Sequence, residues 1–149
     1  MKSLVSYYSR TNITKRLAEH IAKETNADIE EIKPKVNYSG KLGYARGIKD
    51  SRSAKIIEIE DLKHNVEDYD VVYVGGPVWA SKASNPVISY LKQNENKFKN
   101  VKFFMTAAAG GFDSAFSQME DLSIMPLKTL AATTKEVKNQ TYDLKNFTD

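Results

Sequence analysis

Three short segments hold residues whose types and spacing suit ligand recognition. Ser9-Arg10-Thr11-Asn12-Ile13-Thr14 gathers three hydroxyls, an amide and a guanidinium just ahead of a helical pattern. Hydroxyls beside a helix start, with its unpaired N–H groups and partial positive charge, suit an anion such as a phosphate monoester. The competing reading is that Thr11 or Asn12 merely caps the helix. Gly75-Gly76-Pro77-Val78-Trp79-Ala80-Ser81 carries the only tryptophan, a stacking platform for a flat ring. The alternative is an indole folded back over the sheet; the apolar run ends before Trp79, which favours the platform. Thr106-Ala107-Ala108-Ala109-Gly110-Gly111 has almost no side chain, so its backbone N–H groups can approach a ligand closely, with Phe112 next in line.

Composition narrows the chemistry. The absence of cysteine from all 149 residues excludes disulfides, thiolate metal sites, cysteine nucleophiles and cysteine-ligated iron–sulfur clusters. Any electrons must then reside on a bound organic cofactor or a non-thiolate metal. His20 and His64 stand apart, so neither a metal site nor a Ser-His-Asp arrangement is expected. The net charge of +3, from 22 Lys and Arg against 19 Asp and Glu, is far below that of a dedicated nucleic-acid binder. No apolar run approaches the roughly 20 residues that span a bilayer. Met1-Lys2-Ser3-Leu4-Val5 lacks the plan of a signal peptide. The expectation is a single cytoplasmic domain over residues 1–149, with no nucleic acid and no membrane partner. Neither G-x-x-x-x-G-K-[ST] nor a G-x-G-x-x-G after a strand occurs, which sets aside two common nucleotide folds.

Apolar runs of strand length alternate with helical patterns. Leu4 to Tyr8 reads as a strand, Ile13 to Glu24 as a helix with Leu17 and Ile21 on one stripe, and Ala27 to Ile32 as a half-exposed edge strand. Pro34 to Ser53 is a polar excursion, ordered or mobile, with a helical turn around Tyr44 to Ile48; Ile56 to Ile59 is a short strand or extended segment. Tyr69 to Val74 is a buried strand stopped by a sharp turn at Gly75-Gly76-Pro77. Pro86 opens a helix, Val101 to Met105 is a strand, and Ser114 to Leu122 a helix. Leu127 to Ala132 is a last strand, resumed at Val137, while Asn139 to Asp149 is too short for a full final helix and forms a frayed cover. Such alternation predicts a parallel sheet with helices on both faces, its ligand outside the carboxyl ends of the strands. A receiver domain of the same topology would need acidic residues after strand one and an Asp after strand three. Those places hold Tyr8-Ser9 and Gly75-Gly76-Pro77.

The first loop resembles the S-x-T-G-x-T phosphate loop of flavodoxins, with Asn12 in place of the glycine. Asn is the non-glycine residue best suited to a left-handed backbone. The second resembles the family's G-x-P-x-W-x(6)-P pattern, matched at Gly75, Pro77, Trp79 and Pro86. Tyr44-Ala45-Arg46-Gly47 is similar to a tyrosine- and arginine-bearing segment of one flavodoxin-like branch. The likeness covers nearly the whole chain. It implies a doubly wound five-stranded parallel sheet of order 2-1-3-4-5, binding FMN. Phosphate would lie on Ser9, Arg10, Thr11, Asn12, Ile13 and Thr14. The ring would lie on Trp79, near Pro77, Val78, Ala80 and Ser81. Ala107, Ala108, Gly110 and Gly111 would bond the pyrimidine end, with Phe112 the nearest cover for the outer face.

The function so implied is electron transfer between redox partner proteins. The family's carriers are commonly acidic, so a net charge of +3 points to unusual, acidic partners. The alternative is an NAD(P)H-dependent flavin or quinone reductase on the same fold. A third is a binding module that has lost its flavin. The expected state is a monomer or weak dimer.

Overall fold

A computed structural model describes all 149 residues. Five main strands are β1 (Ser3–Tyr7), β2 (Asp28–Glu31), β3 (Val71–Trp79), β5 (Val101–Ala107) and β6 (Thr129–Thr133), with a short β4 (Lys82–Ala83). The helices are α1 (Ile13–Thr25), α2 (Gly40–Arg52), α3 (Asn85–Gln93), α4 (Phe112–Asp121), α5 (Thr134–Asn139) and α6 (Leu144–Thr148). The sheet runs β2-β1-β3-β5-β6, every pair parallel, and β4 folds back antiparallel on the end of β3. Counting the main strands alone, this is the expected 2-1-3-4-5 order.

The period of two along each strand decides which helices it meets. Leu4, Val72, Val74, Phe103 and Met105 point into one core with Val87, Ile88 and Leu91 of α3 and Ala115 and Met119 of α4. Their neighbours Val5, Val71, Tyr73 and Phe104 point the other way, onto Leu17 and Ile21 of α1, Val137 of α5 and Phe147 of α6. Both faces are covered, so the central strands are apolar almost throughout.

Several elements depart from expectation. The polar excursion is ordered, and the helix within it spans thirteen residues rather than one turn. Its underside is held by buried polar groups: the Tyr38 hydroxyl donates to Asp50 Oδ2 (2.8 Å) and accepts from Asn85 Nδ2 (2.7 Å), while Ser51 Oγ accepts from the Asn85 N–H (3.1 Å). Gly75 and Gly76 do not turn the chain; β3 continues through them to Trp79. They clear space instead, since a Cβ at Gly75 would lie 2.3 Å from Phe104 Cε2 and one at Gly76 2.4 Å from Val87 Cγ2. The segment from Ile56 is extended and pairs only at Ile59, in an isolated bridge to Pro34. Val137 belongs to α5, not to a resumed strand, and Thr133 closes that helix's start with a capping box to Glu136. The C-terminus is ordered too: Phe147 is buried, and Lys102 Nζ donates to its carbonyl at 2.8 Å. In β2 the alternation holds, but Ile29 faces solvent and Glu30 is buried. Glu30 Oε1 accepts from the N–H groups of Lys63 and His64, both at 2.8 Å.

Candidate functional site

Strand order reverses between β1 and β3, and the segments leaving the carboxyl ends of β1, β3 and β5 meet there around a groove of about 180 Å³. Ser9, Arg10, Thr11, Ile13 and Thr14 form one wall, Pro77, Val78 and Trp79 the floor, and Ala107 and Ala108 the far wall. Tyr44, Thr106 and Thr134 complete it. No group of three or more His, Asp or Glu side chains gathers as a metal site.

The first wall is built for an anion. Asn12 is left-handed (φ 69, ψ 3), as the missing glycine demands, and its side chain makes no cap. That excludes the bland reading for Asn12. Ser9 Oγ instead accepts from the Lys15 N–H at 3.2 Å. The N–H groups of Thr11, Asn12, Ile13 and Thr14 find no acceptor in the chain. A run of free amides around a left-handed residue is an anion-binding nest, strengthened by the dipole of a thirteen-residue helix. The Thr14 hydroxyl is buried and hydrogen-bonded to Thr106 Oγ1 at 2.7 Å, locking β5 to the start of α1.

Arg10 turns away from the nest. Its Nε donates to the Tyr38 carbonyl and its Nη2 to the Gly40 carbonyl, both at 2.9 Å, and its guanidinium lies 4.7 Å from the Tyr44 ring centre. It therefore ties the first loop to the start of α2. Asn12 shapes the nest without lining the groove.

Trp79 is not the free platform that its sequence context suggests. It ends β3 rather than following it, and only 3% of it is exposed. Tyr8, Tyr38 and Tyr44 meet its ring nearly perpendicularly, with centroids 5.5, 5.7 and 5.9 Å away. Burial pushes the Tyr38 phenol up to about 12 and the Tyr8 phenol higher still, so both rings are neutral near neutral pH, and the Tyr38 hydroxyl is held by Asp50 and Asn85. Of the three, Tyr44 alone is exposed, and it alone lines the groove.

Ala80 and Ser81 are both left-handed (φ 52 and 62) and form the two-residue turn from β3 into β4. Two successive positive φ values are what a tight hairpin needs, and neither residue is glycine. The third loop touches this turn: a Cβ on Gly111 would lie 3.0 Å from Ser81 Cα. Gly110 has open space around it. Ser81, Gly111 and Phe112 border a separate shallow hollow beside the groove, and Phe112 packs against the core. Ala80, Ser81, Gly110, Gly111 and Phe112 thus sit next to the groove, not in its wall. Thr106, near the end of β5, and Thr134, opening α5, carry no local sequence signal of a side chain that faces a ligand. Tyr44 carried a signal, the tyrosine before a basic residue.

A doubly wound sheet takes its ligands at the switch point, which here is where the amide nest and the Trp79 floor meet. The chain belongs to the flavodoxin family, whose pattern it matches over residues 2–141. Among solved structures it is similar to a flavoprotein of Lactobacillus acidophilus in complex with FMN, at 24% identity and TM-score 0.77, covering 94% of this chain and 98% of that one. A Bacteroides eggerthii protein of solved structure gives 22% identity, TM-score 0.78 and coverage of 99% of this chain and 98% of that one. An NADPH-quinone reductase from P. pentosaceus shares the fold at 11% identity and TM-score 0.57, covering 99% of this chain and 96% of that one. No curated protein sequence matches the chain. No helix is long and apolar enough to cross a membrane.

Proposed function

We propose that the chain binds FMN in this groove and passes electrons between redox partners. The observation that carries the reading is the nest of four acceptor-less N–H groups at Thr11 to Thr14. A phosphate monoester presents three oxygens to such donors, and the hydroxyls of Ser9 and Thr11 stand beside them. No side-chain cation is needed, which agrees with Arg10 being engaged elsewhere. The donor set therefore fits the phosphate.

The ring end fits as well. Pro77, Val78, Trp79, Tyr44, Ala107 and Ala108 offer apolar surface, and the backbone from Ala107 onward lacks side chains that would block hydrogen bonding. A groove of about 180 Å³ is smaller than the roughly 300–1,000 Å³ of most small-molecule pockets. Tyr44 must then swing outward from Trp79 for a tricyclic ring to lie flat, and its exposure permits this. Pro77, Val78 and Trp79 would then back such a ring with apolar surface, and Tyr44 would border it.

When bound, the flavin supplies redox chemistry by one or two electrons. The protein supplies binding, orientation and a low-dielectric floor that disfavours added negative charge. The left-handed turn at Ala80 and Ser81 holds backbone polar groups near the groove without help from a flexible side chain. The third loop runs only from Ala108 to Gly111, with no insertion to wall a nicotinamide site, which favours a carrier over a reductase. Visible absorbance of the purified protein, with mass analysis of what heat releases, tests this. A yellow protein releasing FMN supports it, and a colourless one that takes up no added FMN contradicts it.

A further inference from the structure

The positive charge of this chain is not spread over its surface. Residues 33–55 hold seven Lys and Arg against a single Asp, while the rest of the chain holds fifteen against eighteen. The whole cationic excess therefore lies on α2 and its flanks, and the remainder is net acidic. All seven side chains are exposed. Lys35 is neutralised by Glu58 at 3.0 Å, and Arg46 stands 4.0 Å from Asp50, which already accepts from Tyr38. Lys41, Lys49, Arg52 and Lys55 have no carboxylate within 4 Å.

Helical spacing arranges these charges. Lys41, Lys49 and Arg52 fall on one outward arc, since residues three, four, eight and eleven apart share a face. Leu42, on the same arc, is 89% exposed. Ile56, just past the helix, is also exposed. Apolar side chains set among unpaired cations make a mixed surface of the kind protein partners use. The inner side of the same helix reaches the groove: Tyr44 lines it, and Gly47 lies directly against Trp79. A partner on the outer face would be one helix diameter, about 10 Å, from the floor of the groove.

We propose that the outer face of α2 docks an electron-transfer protein through a carboxylate-rich surface of that partner. The proposal rests on the flavin reading for its purpose but not for its geometry. Long-range attraction between opposite charges steers such encounters and weakens with salt. Three unpaired cations on one helical face, with Lys55 just past its end, offer far less than the extended basic surface that nucleic acid requires. The acidic balance elsewhere on the chain would repel a polyanion that spread beyond α2.

An acidic [2Fe–2S] ferredoxin serves as the probe, because its paramagnetic cluster broadens nearby amide signals of the 15N-labelled protein. The expected result is broadening confined to residues 40–55, lost when salt is raised to about 0.3 M. The double variant K49E/R52E should weaken binding at least tenfold. K97E/K99E makes the same change in net charge at the opposite end of the sheet and should leave binding within twofold of wild type. Equal loss in both variants would show a response to net charge alone and overturn the proposal. Broadening elsewhere, or stronger perturbation of the same amides by a DNA duplex than by ferredoxin, would overturn it too. The readout needs no flavin, so failure of docking and failure of FMN uptake are separate results.

Discussion

Gly47 of α2 lies directly against the indole of Trp79. A Cβ added there would stand 2.6 Å from Trp79 Cζ3 and 3.1 Å from two further ring carbons. The helix that carries the basic face is thus also the wall that fixes the floor of the groove. Gly47→Ala should push the ring aside at a cost of about 1–3 kcal/mol, as overpacking of a filled core does. Because Trp79 is the only tryptophan, its fluorescence reports this without labels. The expected variant has a shifted emission maximum, a lower Tm and weaker FMN binding. Unchanged emission would mean that α2 yields rather than the indole.

Asn12 should tolerate glycine and resist alanine. Its φ of 69 is open to glycine but costs an ordinary L residue about 1–2 kcal/mol. Asn12→Gly is expected to keep wild-type stability or exceed it and to bind FMN at least as well. Asn12→Ala should lose about that stability and bind FMN more weakly, as the amide nest distorts. Thermal melts and FMN titrations of both variants check the pair; an alanine variant equal to wild type in both would refute the role of the left-handed turn.

The hairpin turn offers the converse. Ala80 and Ser81 are exposed and hold φ values of 52 and 62. Replacing either with glycine relieves that strain, partly offset by the entropy glycine adds to the unfolded chain. Ala80→Gly should be neutral to stabilising by about 1 kcal/mol, a Tm rise of about 2–4 °C for a domain of this size. A fall in Tm would show that the turn is favoured by contacts beyond backbone conformation.

Alkaline pH should unfold the protein cooperatively. Burial raises the phenols of Tyr7 and Tyr38 to about 12, and those of Tyr8, Tyr69 and Tyr90 further. In the unfolded chain these groups ionise near 10. Above that pH the unfolded state holds fewer protons than the folded one, so stability falls as pH rises. It is fully present below pH 10 and lost as pH passes through about 12. The phenolate absorbance of these five buried rings should therefore appear in one step, coincident with loss of far-UV dichroism. Independent, gradual ionisation with the fold intact would contradict the burial of these rings.

Much of this architecture is legible in the sequence, and the exceptions share a cause. The central strands are written in runs such as Tyr69 to Val74, because a strand covered on both faces must be apolar throughout. Pro86 marks the start of α3, and Asn12 marks the left-handed turn. The helix α2 is obscure because Gly40, Gly43 and Gly47 weaken its propensity and its anchors Asp50 and Ser51 are polar. Only Tyr38 and Asn85, distant in sequence, make those residues interior. Glu30 is buried against the trend of its strand for the same reason: its acceptors are matched by amides thirty-three and thirty-four residues away. At the site, the nest was readable from local residue types. The caging of Trp79 was not, since it depends on three tyrosines from separate elements converging on one ring.

The central claim is that the amide nest and the Trp79 floor together hold FMN. The most direct test is titration of flavin-free protein with FMN and with riboflavin, following Trp79 emission and flavin fluorescence together. The account predicts quenching of both signals at one FMN per chain, with Kd of about 1 µM or tighter and riboflavin weaker by tenfold or more, about 1.4 kcal/mol of phosphate binding. Equal affinity for the two flavins would remove the nest from the account, and absence of quenching by FMN would contradict it altogether.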